Sequence, residues 1–184
     1  IRDRRKLKKK EEDGVPLEEE DDVPDQEILA ESNEEAKDRD WKSQLLNRLH
    51  ELTPDGFEKF VIYLLRRYGL QLQHTGASGD EGVDAIGTAP LSPVLSSRVA
   101  VQIKRYAPEG KPIGRETVAL FQRDAQTKGA ERAIIVTLSR FTDPARKAAT
   151  STVPTVDLIS GARLAELIRA DVESGVKLRP TVDH

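Results

Sequence analysis

Hydrophobic side chains recur along the chain at two spacings, and the spacing changes from region to region. Steps of three and four residues indicate helices, whereas alternation or a short apolar run indicates strands. Helical spacing predicts five helices, over residues 41–49, 54–68, 114–128, 143–149 and 162–172. Strand patterns predict five strands, over residues 70–75, 83–88, 98–105, 133–138 and 155–159. The order αα-βββ-α-β-α-β-α predicts an α/β fold in which helices flank a central mixed β-sheet.

The second helix and the fourth strand have the clearest patterns. The helix begins near Pro54, in the first turn where a missing N–H does no harm, and ends at Gly69. Its apolar stripe consists of Phe57, Phe60, Val61, Leu64, Leu65 and Tyr68. The strand at 133–138 is continuously apolar, which is typical of a central strand covered on both faces.

Residues 1–40 differ from the rest of the chain in composition. They carry 9 basic and 16 acidic side chains, a net charge of −7, whereas residues 41–184 carry 20 basic and 16 acidic ones, a net charge of +4. Apolar residues are few in the first segment and keep no period, so we expect a disordered charged linker or tail. Residues 41–175 are predicted to form the folded domain, and residues 176–184 a C-terminal tail. The mildly basic domain is compatible with a phosphate-bearing partner.

The first residues of the chain and its lack of Met and Cys indicate its context. The chain begins with Ile1 and contains no Met, so we expect a fragment of a longer protein. The basic run at 2–10 is either a solvated charge run or the flank of a membrane helix in a missing upstream segment. Because Cys is absent and no apolar run reaches about 18 residues, we expect a cytoplasmic protein, or one on the cytoplasmic face of a membrane.

The strand at 98–105 alternates between two kinds of side chain. Its apolar residues take one face, while Gln102 and Lys104 take the other, about 7 Å apart. Asp84 stands on the preceding strand, just after a Gly-rich turn. If the two strands pair as a hairpin, these three side chains converge at one edge of the sheet.

The residue types at this edge suit phosphodiester hydrolysis. A carboxylate, an amide oxygen and the backbone carbonyl of Ile103 form an all-oxygen site for Mg²⁺ or Mn²⁺. Lys104 can position and help to activate a water, and can stabilise charge on the phosphate under attack. On spacing alone we favour another interpretation, in which Asp84 is a turn carboxylate and the strand residues form a solvated face, because short polar patterns recur by chance.

Two other chemistries find no support in the sequence. The histidines, His50, His74 and His184, lack ligand spacing and predict no His-rich zinc site. A serine hydrolase would need a nucleophile elbow such as G-x-S-x-G, which the chain does not contain. We also expect no small-molecule cofactor.

Five segments carry a resemblance to a known family. They are GFEKF at 56–60, TGASGDEGVD at 75–84, VQIKRY at 101–106, VTLSRFT at 136–142 and LISG at 158–161. In this order and at these structural positions, they resemble the Mrr-type restriction endonuclease domain, a branch of the PD-(D/E)xK nuclease superfamily. The resemblance covers residues 53–167.

The resemblance implies an αβββαβ core and a Mg²⁺-dependent endodeoxyribonuclease that acts in restriction or defence against foreign or modified DNA. It implies that Asp84 and Gln102 bind the metal and that Lys104 is the catalytic lysine. Val83 stands where the superfamily has proline, and Gln102 where it has a second carboxylate. Glutamine is usual at this position in the Mrr branch, so the departure does not indicate a dead enzyme.

Two further acidic residues each have two interpretations. Glu58 is either a metal-linked or water-orienting group, as in many relatives, or a surface glutamate favoured by the helix dipole. Asp80 either contributes to the site or shapes the Gly-rich loop through hydrogen bonds to its backbone, and we favour the second role.

Double-stranded DNA is the expected partner. Arg105, Lys111 and Arg115 follow the catalytic strand and are candidates for DNA contact, or else are ordinary surface charges. Cutting both strands with one site per chain would favour a homodimer. The rival function is a catalytically silent nuclease-like module that binds DNA or a protein. A missing upstream segment could tether such a module to a membrane. Retention of the complete Asp84, Gln102 and Lys104 set favours the enzyme.

Overall fold

The computed structural model describes residues 25–75 and 82–177, with side chains described over 34–75 and 82–175. The chain divides into two units, residues 1–36 and residues 37–184. Of the first unit, the described part is the start of helix α1 (Asp25–Glu51). Among the described residues, none of the helices combines the length and the apolar character needed to cross a bilayer.

Nine elements follow α1 and build a single five-stranded sheet with helices on both faces. In chain order they are α2 (Pro54–Arg67), β1 (Gln71–His74), β2 (Ala85–Ser92), β3 (Leu95–Lys104), α3 (Arg115–Thr127), β4 (Arg132–Thr137), α4 (Asp143–Ser151), β5 (Thr155–Ile159) and α5 (Gly161–Lys177). The strands lie in the order β1-β2-β3-β4-β5. The first three pair antiparallel and the last three pair parallel, so the predicted α/β fold with a mixed sheet is confirmed.

Each face of the sheet has its own hydrophobic core, and alternation along β3 supplies both. Val99, Val101 and Ile103 pack with side chains from α1, α2 and α5 in the first core. Ala100 lies in the second core with residues of α3 and α4. Fully buried Phe57 and Phe121 pack from opposite sides, and such a side chain contributes about 2–3 kcal/mol on burial. The central strand β3 is therefore held rigidly on both faces.

Helix α2 starts where the sequence predicts and brings its first turn to the carboxyl end of β1. Thr53 caps the helix, because its Oγ1 accepts a hydrogen bond from the Gly56 N–H at 3.0 Å. Pro54 occupies the first helical position. After the helix the chain turns at Gly69, whose φ of +96° is readily adopted only by glycine. Because this connection is short, β1 packs directly against α2.

The N-terminal helix is longer than predicted. Residues 25–40 fall in the segment expected to be disordered, yet they are helical and continue into the predicted helix at 41–49. Strong helix formers, chiefly Glu and Ala, occupy much of this stretch. Ion pairs also hold the described part against α5, from Asp38 to Arg169 at 2.8 Å and from Lys42 to Glu166 at 2.7 Å. Sequence periodicity detects an apolar stripe, not a helix stabilised by charged contacts.

The two ends of the chain lie largely outside the described residues. The basic run at 2–10, with its two interpretations, falls there, as does the rest of the segment up to residue 24. At the other end, α5 continues to Lys177, so helix occupies the first positions of the predicted tail at 176–184. Residues 178–184 are outside the described part.

Candidate active site

The backbone around Asp84 is fixed by the strands on either side. Asp84 stands immediately before β2, and its N–H donates to the carbonyl of Val101 on β3 at 2.8 Å. Its carbonyl accepts from the N–H of Thr75, at the end of β1, at 3.0 Å. The residue is therefore held between β1 and β3 at one end of the antiparallel half of the sheet.

The Asp84 side chain lies against β3 between the two polar residues singled out from the sequence. Its Oδ2 accepts a hydrogen bond from the Ile103 N–H at 2.6 Å. Burial raises the pKa of this carboxyl, and the nearby Glu58 carboxylate raises it further. The Ile103 N–H and the Lys104 ammonium oppose this rise in pKa, without cancelling it. Burial is thus the main reason that the charged form of the Asp84 side chain is disfavoured.

Gln102 has a buried oxygen that lacks a partner. Its side chain is only 6% exposed, and its Oε1 makes no hydrogen bond with any of the described residues. A buried acceptor without a hydrogen bond costs about 1–3 kcal/mol. An unsatisfied buried acceptor of this kind needs an explanation, and a bound ion is one that fits an amide oxygen.

Gly82 joins Gln102 to the Asp84 segment. Its φ is +97°, and a Cβ at this position would lie 2.5 Å from Asp124 Oδ2 and 3.6 Å from Gln102 Nε2. The Gln102 amide therefore sits against the residue two positions before Asp84, with the Asp124 carboxylate of α3 beside it. Only glycine satisfies both the backbone angle and the space.

A second group of ligand-type side chains lies beside Asp84. His74 Nε2 is 3.0 Å from Glu58 Oε2. One ligand atom from each of Asp55, Glu58 and His74 lies within 4.8 Å of the others. His74 and Glu58 both act on the pKa of Asp84, which shows that the group adjoins the same site.

The structure brings together most of the residues selected from the sequence. Asp84, Lys104 and Glu58 share one electrostatic environment, and Gln102 adjoins it through Gly82. Ile103 contacts Asp84 through its N–H, while the assignment of its carbonyl as a metal ligand stays a prediction.

Asp80 lies outside the described residues. Sequence reasoning did not select His74 or Asp124. For His74 a signal existed, because strand alternation places it on the same face as the core residue Leu72, towards α2.

The three basic candidates for DNA contact have different surroundings. Arg105 donates through its guanidinium to the carbonyls of His50 and Leu52, at 3.0 Å for the second, so it secures the junction of α1 and α2. Lys111 is exposed, with its Nζ 5.9 Å from the centroid of the Tyr106 ring. Arg115 is exposed at the first residue of α3. Their contact with DNA stays a prediction.

Fold and site together define a family. A family model described as restriction endonuclease, Mrr_cat, matches residues 49–168, which is more than half of the chain. The chain therefore belongs to this restriction endonuclease family, and the resemblance seen in its sequence is confirmed. The match runs from the end of α1 into α5 and includes every strand of the sheet.

Individual relatives agree with this assignment. The type IV methyl-directed restriction enzyme EcoKMrr of Escherichia coli (strain K12) is 32% identical over 180 residues, which cover 91% of this chain and 57% of the relative. The chain thus spans little more than half the length of that enzyme. The solved DNA modification-dependent restriction endonuclease AspBHI has a TM-score of 0.58 and 22% identity, covering 74% of this chain and 39% of that one. The MspJI restriction endonuclease, solved in complex with a 27-mer oligonucleotide, has a TM-score of 0.55 and 26% identity, covering 73% and 32%.

Proposed function

We propose that this chain is the catalytic domain of a metal-dependent endonuclease that hydrolyses phosphodiester bonds of double-stranded DNA in restriction or defence. Membership of the restriction endonuclease family supports the reaction class. The relative EcoKMrr is a type IV methyl-directed restriction enzyme, which supports a role in restriction, and the oligonucleotide bound to MspJI supports DNA as the partner.

One observation carries the proposal, namely the uncompensated oxygen atoms at the β2–β3 edge. The Asp84 carboxylate is half-buried beside a second carboxylate, and Gln102 Oε1 is buried without a hydrogen bond from any described residue. Carboxylate and amide oxygens are the ligands that Mg²⁺ and Mn²⁺ prefer. Asp84 and Gln102 would therefore hold a divalent cation, with the Ile103 carbonyl as a third ligand and Glu58 close by.

The described residues have distinct parts in the proposed reaction. A divalent cation held by Asp84 and Gln102 would supply Lewis-acid stabilisation of the charge that develops on the scissile phosphate. Lys104 provides a fixed cation that orients the attacking water and neutralises charge on a non-bridging phosphate oxygen. The Ile103 N–H holds the Asp84 carboxylate in one orientation, so that the ligand does not have to be ordered when DNA binds.

A plasmid-nicking assay with Mg²⁺ tests the proposal. Wild-type protein should nick supercoiled plasmid, and Lys104→Ala should lose activity by on the order of 10²–10³-fold, because the stabilising cation is gone. Lys147→Ala is the matched control, since it removes an exposed lysine of α4 that has no contact with the site. A chelator should abolish nicking by the wild type.

Each alternative outcome has a definite meaning. Equal nicking by wild type and Lys104→Ala would reject an enzymatic role for this site. Retention of DNA binding without any nicking, in the presence of Mg²⁺ or Mn²⁺, would favour the silent binding module. Activity that persists in the chelator would reject the metal dependence alone.

A further inference from the structure

Strand β1 carries a side chain that reaches the helix above it. Leu72 points into the first core beneath α2, and alternation places His74 on the same face one step further along. The imidazole meets the first turn of α2 there, with Nε2 3.0 Å from Glu58 Oε2. Both side chains are about one third exposed, so the contact is only partly screened by water.

The chemistry of this contact fixes which partner donates. An ionised carboxylate oxygen only accepts hydrogen bonds, so the Nε2 atom carries the proton and donates to Glu58. The Glu58 carboxylate is then held by one oxygen, and its rotation about the last side-chain bond is restricted. Asp55, one turn earlier on α2, lies within the same 4.8 Å cluster but is paired with Lys59 at 2.9 Å.

The strand that carries His74 is also bonded to the Asp84 segment. His74 pairs with Ala85 in the antiparallel ladder. The next residue, Thr75, donates through its N–H to the Asp84 carbonyl at 3.0 Å and through its Oγ1 to the Val83 carbonyl at 2.7 Å. The imidazole therefore connects α2 to the same backbone frame that holds Asp84.

From this geometry we propose that His74 is a positioning residue that holds the Glu58 carboxylate in register with Asp84. The proposal rests on the proposed function, because it assigns His74 a role in presenting Glu58 to the cation site. His74 acts through Glu58 and touches neither cation nor DNA. Its loss should therefore weaken cation binding and the cleavage step, and should leave the affinity for DNA unchanged.

A double-mutant cycle tests this role. The proteins are wild type, His74→Ala, Glu58→Ala and the double variant, with His74→Gln restoring an N–H donor and Gln73→Ala as a control on the opposite face of β1. Single-turnover cleavage is measured at saturating Mn²⁺, and Mn²⁺ binding without DNA is measured by titration calorimetry. Melting temperatures verify that each protein is folded.

We expect His74→Ala to lower Mn²⁺ affinity and the cleavage rate by about 10–100-fold, the usual effect of losing a group that orients a ligand. In the Glu58→Ala background the same change should have less than about a twofold effect, because its partner is already absent. His74→Gln should recover part of the loss, Gln73→Ala should behave as wild type, and the KM for DNA should not change in any of them.

Two results would overturn the inference. One is an equal loss from His74→Ala whether or not Glu58 is present, which would mean that His74 acts independently. The other is a normal Mn²⁺ affinity and cleavage rate in His74→Ala. If wild type itself cleaves no DNA, the proposed function fails, and the calorimetric cycle with Mn²⁺ alone still decides the His74–Glu58 coupling. If His74→Ala does not fold, His74→Leu, which also lacks an N–H donor and fills more of the space, takes its place in the cycle.

Discussion

Two clusters of charged side chains in this protein look alike in composition and differ in how their charges are matched. Between α1 and α5, Asp38 contacts both Lys42 at 3.0 Å and Arg169 at 2.8 Å, and Lys42 also contacts Glu166 at 2.7 Å. Hydrogen bonds from Arg169 and then Lys42 lower the pKa of Asp38. Every charge in this cluster has an opposite charge beside it.

The cluster at the β2–β3 edge is not matched in this way. Burial and the Glu58 carboxylate raise the pKa of Asp84, and the buried Gln102 Oε1 has no hydrogen bond from the described residues. The matched cluster supports the fold, whereas the unmatched one retains an energetic cost that the proposed cation would relieve. Ion pairs lower the pKa of Asp38, whereas burial raises that of Asp84, and a shift of the second kind beside a buried unsatisfied oxygen makes the β2–β3 edge the candidate functional site.

Of the variants that test the difference between the two clusters, Asp84→Asn should have the largest effect, a loss of cleavage activity. Loss of the carboxylate would remove the proposed cation ligand, and we expect cleavage to fall by on the order of 10²–10³-fold. In a chelator at neutral pH, the same variant should be more stable than wild type by about 0.5–1 kcal/mol, because an uncompensated charge is gone. Nicking assays and thermal melts measure the two effects.

Added Mg²⁺ supplies the control for that experiment. A ligand that binds only the folded state raises its stability by mass action, so Mg²⁺ should raise the melting temperature of the wild type and leave Asp84→Asn unchanged. If Asp84→Asn is less stable than wild type in the chelator, burial does not disfavour the charge of Asp84 as its raised pKa indicates.

Gly82→Ala should have the next largest effect, on stability. Alanine at this position would have to adopt a φ of +97°, and its Cβ would lie 2.5 Å from Asp124 Oδ2. We expect a loss of about 2 kcal/mol in the free energy of unfolding, measured by urea denaturation. Asp124→Ala should recover part of this loss by removing the steric contact, though not the part due to φ. Complete recovery would show that the backbone angle is not strained.

The sequence predicts the fold well where one physical signal dominates. Alternation along β3 is a local pattern that the structure confirms. The apolar stripe of α2 is confirmed except at its end, because Tyr68 lies just after the helix and is exposed, while Ile62 is buried although the stripe did not include it. The β2–β3 hairpin is longer than predicted, because β2 extends to Ser92 and β3 already begins at Leu95. The prediction ended the strands earlier, and Pro90 and Pro93 are residues that strands usually exclude. The structure accommodates Pro90 next to an irregularity in the strand pairing.

The residues of the candidate site also fall into two groups, those that a local sequence pattern predicts and those that it does not. Asp84, Gln102 and Lys104 lie on adjacent strands, so the hairpin rule is enough to group them. The contact of His74 with Glu58 and the position of Asp124 depend on the packing of α2 and α3 against opposite faces of the sheet. Such contacts depend on tertiary packing, which no spacing along a single sequence specifies.

Asp38→Asn should have the smallest effect, and it tests the matched cluster. The pKa of Asp38 is lowered in the folded protein, so its contribution to stability is present at neutral pH and is lost as the pH falls through that lowered pKa. We therefore expect Asp38→Asn to melt slightly below wild type at neutral pH, and the difference to vanish on acidification. Because the ion pairs are exposed, moderate salt should also shrink it. A difference that survives both acid and salt would mean that Asp38 stabilises the helix through packing, and that its charge is not matched in the way its contacts indicate.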